Sequence, residues 1–281
     1  MAEHGAIQRD CGIVPRDNSL AENRREHMRV IWFLTIVCIF SGQTTAQQVT
    51  ESVPISHGIT ISGGIGNYAV RDEYISEEKY SGSMPSVNLG WSRFHGNHSY
   101  FLNLRYRGST EIKNYTITTN IREFQFSQGF LYPVCSTTLF SKDLFVVLGP
   151  ITDLYFFYNK PRIAVSGFDY AQSFALLLSV GVRSDVILPL SKSFKIEGIL
   201  QFDILSMGGR MVDEEEEDIS PVKPLTIFAG THGVFDIGIR YHVTERISTK
   251  VSLETNLTRI TAWEPLLSAR ESFTIGITYG L

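Results

Sequence analysis

The sequence predicts an all-β fold, a closed antiparallel transmembrane β-barrel of about ten strands. Three observations predict it: a closing strand of period two, tight and long connections that alternate along the chain, and a short apolar segment near the N-terminus with the form of an export signal. In the closing strand Phe273, Ile275, Ile277, Tyr279 and Leu281 alternate with Thr274, Gly276, Thr278 and Gly280. One face is oily and the other small and polar. In water such a strand is an edge that invites aggregation; in a bilayer it faces lipid and closes a barrel.

Val30 to Phe40 is an apolar run of eleven residues. A spanning helix needs about 20, so the run reads as the core of a signal peptide. Met28-Arg29 precedes it, Ser41-Gly42 ends it, and Thr44-Thr45-Ala46 supplies small residues for cleavage before Gln47. Residues 28–46 are therefore expected to be a signal peptide and 47–281 the barrel. Residues 1–27 are polar and patternless, and are expected to be an extension upstream of a true start at Met28. Arg24-Arg25 is followed by Glu26-His27-Met28, a poor match to a twin-arginine signal. Cleavage removes Cys11 and Cys38, leaving Cys135 without an internal disulfide partner.

The chain has 25 basic and 29 acidic residues, net −4; five of each lie before Gln47, so the barrel keeps that balance. This gives no basic footprint for nucleic acid. A mean hydropathy of +0.01 suits a barrel, whose lipid-facing and inward residues cancel along every strand.

Alternation and turn signals place strands at Gly58–Val70, Pro85–Phe94, Ser99–Ser109, Asn120–Phe140, Leu144–Tyr158, Ala171–Leu188, Phe194–Ser206, Leu225–Val243, Ile247–Ile260 and the closing segment. The third puts Tyr100, Leu102, Leu104 and Tyr106 outward and Asn103, Arg105 and Arg107 inward. The fifth is apolar on both faces, which leaves its register open. Tight turns are expected at His95–His98, Ser141–Asp143, Ser191–Ser193 and Thr244–Arg246. Long loops are expected at Arg71–Met84, Thr110–Thr119, Asn159–Tyr170, Gly208–Pro224 and Thr261–Glu271. Short turns on the periplasmic side and long external loops are the habit of outer-membrane barrels. The sheet must close because hydrocarbon offers no water to an open edge. A soluble lipocalin-like barrel or sandwich would use the same alternation with its oily face inward; the export signal, loop alternation and oily last strand favour the membrane form.

The signal ending Ala46-Gln47 and the closing Gly276-Ile-Thr-Tyr-Gly-Leu281 resemble the outer-membrane β-barrel proteins of Bacteroidota, across the whole mature chain. The resemblance implies location in the cell outer membrane, contact with its lipid and lipopolysaccharide, and insertion by the barrel-assembly machinery. Leu281 departs from the terminal aromatic of many assembly signals.

The expected inward polar residues are Arg105, Arg107, Glu123, Arg183, Asp185, Lys195, Glu197, Asp203, His232, Asp236, Arg240, Lys250 and Glu254. Opposite charges in so narrow a barrel are expected to pair and plug it. Charged rings that tune a pore are the alternative. His232, Asp236 and Arg240 share a face, but strand rise separates His232 from Asp236 by roughly 13 Å, too far for an acid–base pair. Asp153 and Asp169 reach His232 only by assumption, and His98-Ser99 are adjacent on opposite faces. No catalytic set is expected. The run Asp213, Glu214, Glu215, Glu216, Glu217, Asp218 lies in a predicted external loop and lacks the glycine and spacing of a calcium loop. It reads as solvated and self-repelling, with divalent bridging to lipopolysaccharide or a protein partner as the sharper alternative. Three Asn-X-Ser/Thr sites, at Asn97, Asn114 and Asn256, carry little weight in a bacterial-looking barrel. No phosphate loop, zinc pattern or haem motif is present, so no cofactor and no metal are expected. The expected role is structural or surface-interacting, through the external loops and an unknown surface or periplasmic partner. A small-solute channel and a membrane-embedded hydrolase are the alternatives.

Overall fold

The computed structural model describes residues 57–95, 98–115, 117–162, 172–213 and 222–281. The expected extension, the signal peptide and Glu214–Asp218 lie outside the described residues. The strands are β1 (Gly58–Asp72), β2 (Ser76–His95), β3 (His98–Lys113), β4 (Thr118–Leu139), β5 (Lys142–Arg162), β6 (Gln172–Pro189), β7 (Phe194–Asp213), β8 (Lys223–Thr226), β9 (Gly230–His242), β10 (Ile247–Ile260) and β11 (Leu266–Gly280). All pairings are antiparallel. The order runs from β6 through β1 to β11 and on to β7, and β6 also pairs with β7, so the sheet closes. The first and last strands join along their length, from Gly58 opposite Gly280 to Asp72 opposite Leu266.

β8 and β9 together make one stave. β8 pairs with Leu205–Gly208 of β7 and β9 with Phe194–Phe202, while Ile227–Ala229 turn out of the sheet between them. The closed antiparallel barrel thus has ten staves. The expected single strand Leu225–Val243 is broken because Ile227 and Phe228 are both exposed and neither continues the alternation.

One end of the barrel carries the start of β1, the end of β11 and the tight turns; the turn after β4 is two residues, Phe140 and Ser141, with φ of 50° and 62°. Positive φ at both positions is what a twisted two-residue hairpin requires. At the other end, here the far end, the expected long loops shrink. The connection after β1 is Glu73–Ile75, and that after β10 is Thr261–Pro265. Most of Arg71–Met84 is strand: Tyr80 and Met84 point inward and are buried, while Glu77, Lys79, Ser81 and Ser83 are exposed. This is alternation with a polar rather than an apolar outer face. The reading that required an apolar outer face therefore took it for loop.

The outer surface divides accordingly. Toward the turn end it is an apolar belt, with Ile59, Ile61, Ile65, Leu253, Phe273, Ile275 and Ile277 among its exposed side chains. Toward the far end it becomes a charged collar of Arg71, Glu77, Lys79, Glu111, Arg122 and Lys160.

The inside changes along the same axis. In β1 the inward Thr60, Ser62 and Gly64 are partly exposed, but Tyr68, Val70 and Asp72 are buried. An apolar core fills the far half, drawn from nearly every stave: Tyr68, Met84, Ile112, Ile121, Phe157, Leu177, Leu225, Ile260 and Leu266 belong to it. Ile75, Ile117 and Trp263 fold in from the connections. β5 is apolar on both faces for this reason. Its inward Val147 and Ile151 pack with Phe101 and Leu131, and its inward Tyr155 and Phe157 join the far core.

Candidate functional site: a sealed polar interior

Every expected inward residue named above lies on the interior face, buried or half-buried. Beneath the apolar core they knit across the barrel. Glu123 on β4 accepts hydrogen bonds from the Tyr68 hydroxyl at 2.8 Å, the Tyr155 hydroxyl at 2.9 Å and Arg107 Nη1 at 3.0 Å. Glu254 on β10 pairs with Arg105 at 2.7 Å and accepts from the Asn256 amide at 2.7 Å, with Arg270 Nη1 at 3.5 Å. Arg107 also donates to Asn256. Nearer the turn end, Arg240 holds Glu197 through two bonds of 2.6 and 3.0 Å, and its third nitrogen donates to Ser248 and Thr278. Lys250 pairs with Asp236 at 2.6 Å, and Ser252 donates to the other oxygen. Arg183 holds Asp185 through two bonds and lies over the Phe101 ring, 4.2 Å from its centroid. Paired and hydrogen-bonded charges of this kind are the condition on which ions can be buried at all.

A further ion pair was not legible in the sequence. Asp72 and Arg210 sit at the far end, and both were expected in loops. β7 carries one extra residue at Ile204, opposite the Val180–Gly181 step of β6. Past that bulge its inward positions shift from odd to even numbers, from Gln201 and Asp203 to Ser206 and Arg210. The shift turns Arg210 into the barrel.

Asp153, Asp203 and His232 come together from β5, β7 and β9. Asp203 and His232 are fully buried and Asp153 is 1% exposed. His232 Nδ1 is 3.2 Å from Asp153 Oδ2. Gln125 donates to both Asp153 oxygens at 3.1 Å and lies 3.2 Å from His232 Nδ1; Ser127 also donates to Asp153. Tyr155 stacks on the His232 ring, centroids 5.1 Å apart. Sequence spacing could not show this meeting, since the three residues lie on separate staves. The Asp153–His232 contact is what a hydrolase reading would need, yet neither side chain is open to a substrate.

On the turn side of this network lies a polar cavity of about 210 Å³. Gln125, Gln201, Arg105, Asp236 and Lys250 line it, with Thr60 and Ser62 of β1.

No protein-family model and no curated relative matches the chain. Solved structures of similar shape include the outer membrane protease OmpT from Escherichia coli, with TM-score 0.49 and 10% identity over 83% of this chain and 100% of that one. The translocator domain of the autotransporter NalP from Neisseria meningitidis has TM-score 0.42 and 9% identity over 94% and 98%. Neisserial surface protein A has TM-score 0.36 and 12% identity over 80% and 99%.

Proposed function

We propose that this chain is an integral outer-membrane barrel with a plugged, non-conducting interior, which works as a structural or surface-interaction protein through its far end. The apolar belt is the part that meets lipid, and the charged collar with its connections is the part presented to water outside the cell. Contacts with lipopolysaccharide and with a surface partner belong to that collar. The narrower affiliation with Bacteroidota barrels rests only on Ala46-Gln47 and the closing segment Gly276–Leu281.

The observation that carries the reading is the apolar core of the far half. Tyr68, Met84, Ile112, Ile121, Phe157 and Leu177 are each no more than 2% exposed. A solute channel needs a continuous polar path. Here the polar cavity on the turn side meets paired charges first, then packed hydrocarbon. The test is single-channel conductance of the refolded protein in a planar bilayer, with a heat-dependent gel shift confirming the folded barrel. A folded but silent protein is expected. Stable conductance steps would overturn the plugged reading and make the chain a small-solute channel.

A further inference from the structure

Asp153 and Asp203 differ from the other interior carboxylates. Each of the six others in the network holds an arginine or lysine, as described above for Asp72, Glu123, Asp185, Glu197, Asp236 and Glu254. Among the described residues, neither Asp153 nor Asp203 forms an ion pair with an arginine or lysine; the side chain that meets them is the His232 imidazole. One ligand atom from each of Asp153, Asp203 and His232 lies within 4.8 Å of the other two. Neither Asp203 oxygen has a hydrogen-bond partner, although the side chain is fully buried, and His232 Nε2 has none either. The Ser179 hydroxyl and the His232 backbone come near Asp203 without closing a bond. Two carboxylates this close in a dry site cannot both stay charged without a compensating positive charge.

We infer that Asp153, Asp203 and His232 form a buried three-ligand site for a divalent first-row cation of the zinc type. Two carboxylate oxygens and an imidazole nitrogen are a donor set for such an ion; calcium takes six to eight oxygens and magnesium keeps its waters. An ion among the three atoms would lie roughly 2.8 Å or less from each, and bonds of about 2.1 Å need only small side-chain rotations. Gln125 and Ser127, which hold Asp153, are the outer hydrogen bonds that orient a ligating carboxylate. Entry is short: Gln125 and Gln201 line the turn-side cavity, so the site lies one side chain behind water. The bound ion ties β5, β7 and β9 together beneath the apolar core and offsets carboxylate charge that no arginine or lysine pairs with directly.

The test uses the full chain exported in a Gram-negative host and extracted in detergent. After incubation with zinc and desalting, elemental analysis is expected to find about one zinc per chain. Cobalt in its place is expected to give a visible absorption band of nitrogen and oxygen ligation. Asp203→Asn, which keeps shape and removes charge, is expected to lower zinc retention at least tenfold. Zinc is also expected to raise the temperature of the gel-shift transition in the native protein, and a chelator to reverse it. If Asp203→Asn does not fold, the cobalt spectrum and chelator response of the native protein decide alone. A folded native protein that retains no zinc and gives no cobalt band overturns the proposal. Equal zinc retention by a folded Asp203→Asn barrel overturns it too.

Discussion

Arg210 of β7 and Asp72 of β1 form an ion pair at the far end, Nη2 to Oδ1 2.6 Å, with both side chains fully buried. Asn159 donates to the second Asp72 oxygen at 2.9 Å. Arg210 donates in turn to Ser173 and to the Glu264 carbonyl, and its guanidinium lies 4.4 Å from the centroid of the Tyr74 ring. The pair draws two staves and the last far-end connection onto one point.

Asp72→Ala leaves the Arg210 charge buried and unmatched. A loss of about 3–5 kcal/mol is expected, the usual result of removing one partner of a buried pair. It is read as a lower temperature of the gel-shift transition. Replacing both residues, Asp72→Leu with Arg210→Met, is expected to recover most of the loss, because an apolar pair leaves no charge to compensate.

Closure of the sheet has its own test. The Thr60 and Thr278 hydroxyls, from the first and last staves, are 2.8 Å apart across the seam. Thr60→Cys with Thr278→Cys, in a Cys135→Ser background, is expected to form a disulfide on oxidation, since facing pairs sit near the span that a disulfide bridges. The linked protein should run anomalously on a non-reducing gel and normally after reduction. Absence of the link in a folded barrel would count against the β1–β11 register.

Gly149 faces the β4 backbone so closely that an added Cβ would lie 1.7 Å from the Phe130 carbonyl oxygen. Gly149→Ala is therefore expected to reduce the folded fraction sharply. Gly63, on the outer face, meets its nearest atom at 3.8 Å. Gly63→Ala should fold as the native chain does, and the two are compared on one gel.

The turn of Phe140 and Ser141 places two side-chain-bearing residues in the left-handed region. Phe140 is 84% exposed and gains nothing from burial that would offset its backbone. Ser141→Gly keeps the aromatic and removes one strained position, so it is expected to stabilise by about 1 kcal/mol. Urea titration of the refolded barrel measures it.

The staves near the closing seam were readable because both of their faces obey simple rules. β9, β10 and β11 set aliphatic and aromatic residues outward and polar ones inward; the span expected for β10, Ile247–Ile260, is the observed one, whereas β9 starts at Gly230 rather than Leu225 and β11 starts at Leu266, inside the expected loop Thr261–Glu271. Where the outer face is polar the rule fails, as at Glu77 and Lys79. The Ile204 bulge could not be read either, because one added residue inverts everything after it without changing composition. The meeting of Asp153, Asp203 and His232 depends on register between staves, which a single sequence does not carry. Asp153 was further hidden by a strand whose inner face is apolar around it.

The cross-lumen contacts have a mechanical meaning. Arg105 with Glu254 joins β3 to β10, Asp72 with Arg210 joins β1 to β7, and Gln125 with His232 joins β4 to β9. None of these staves are neighbours in the sheet. The contacts act as spokes, and a spoked wheel does not flatten. In the membrane placement we propose, the wall keeps its cross-section where the bilayer is thicker or thinner than the belt that includes Ile59 and Ile65, and the surrounding lipid stretches or compresses to meet it.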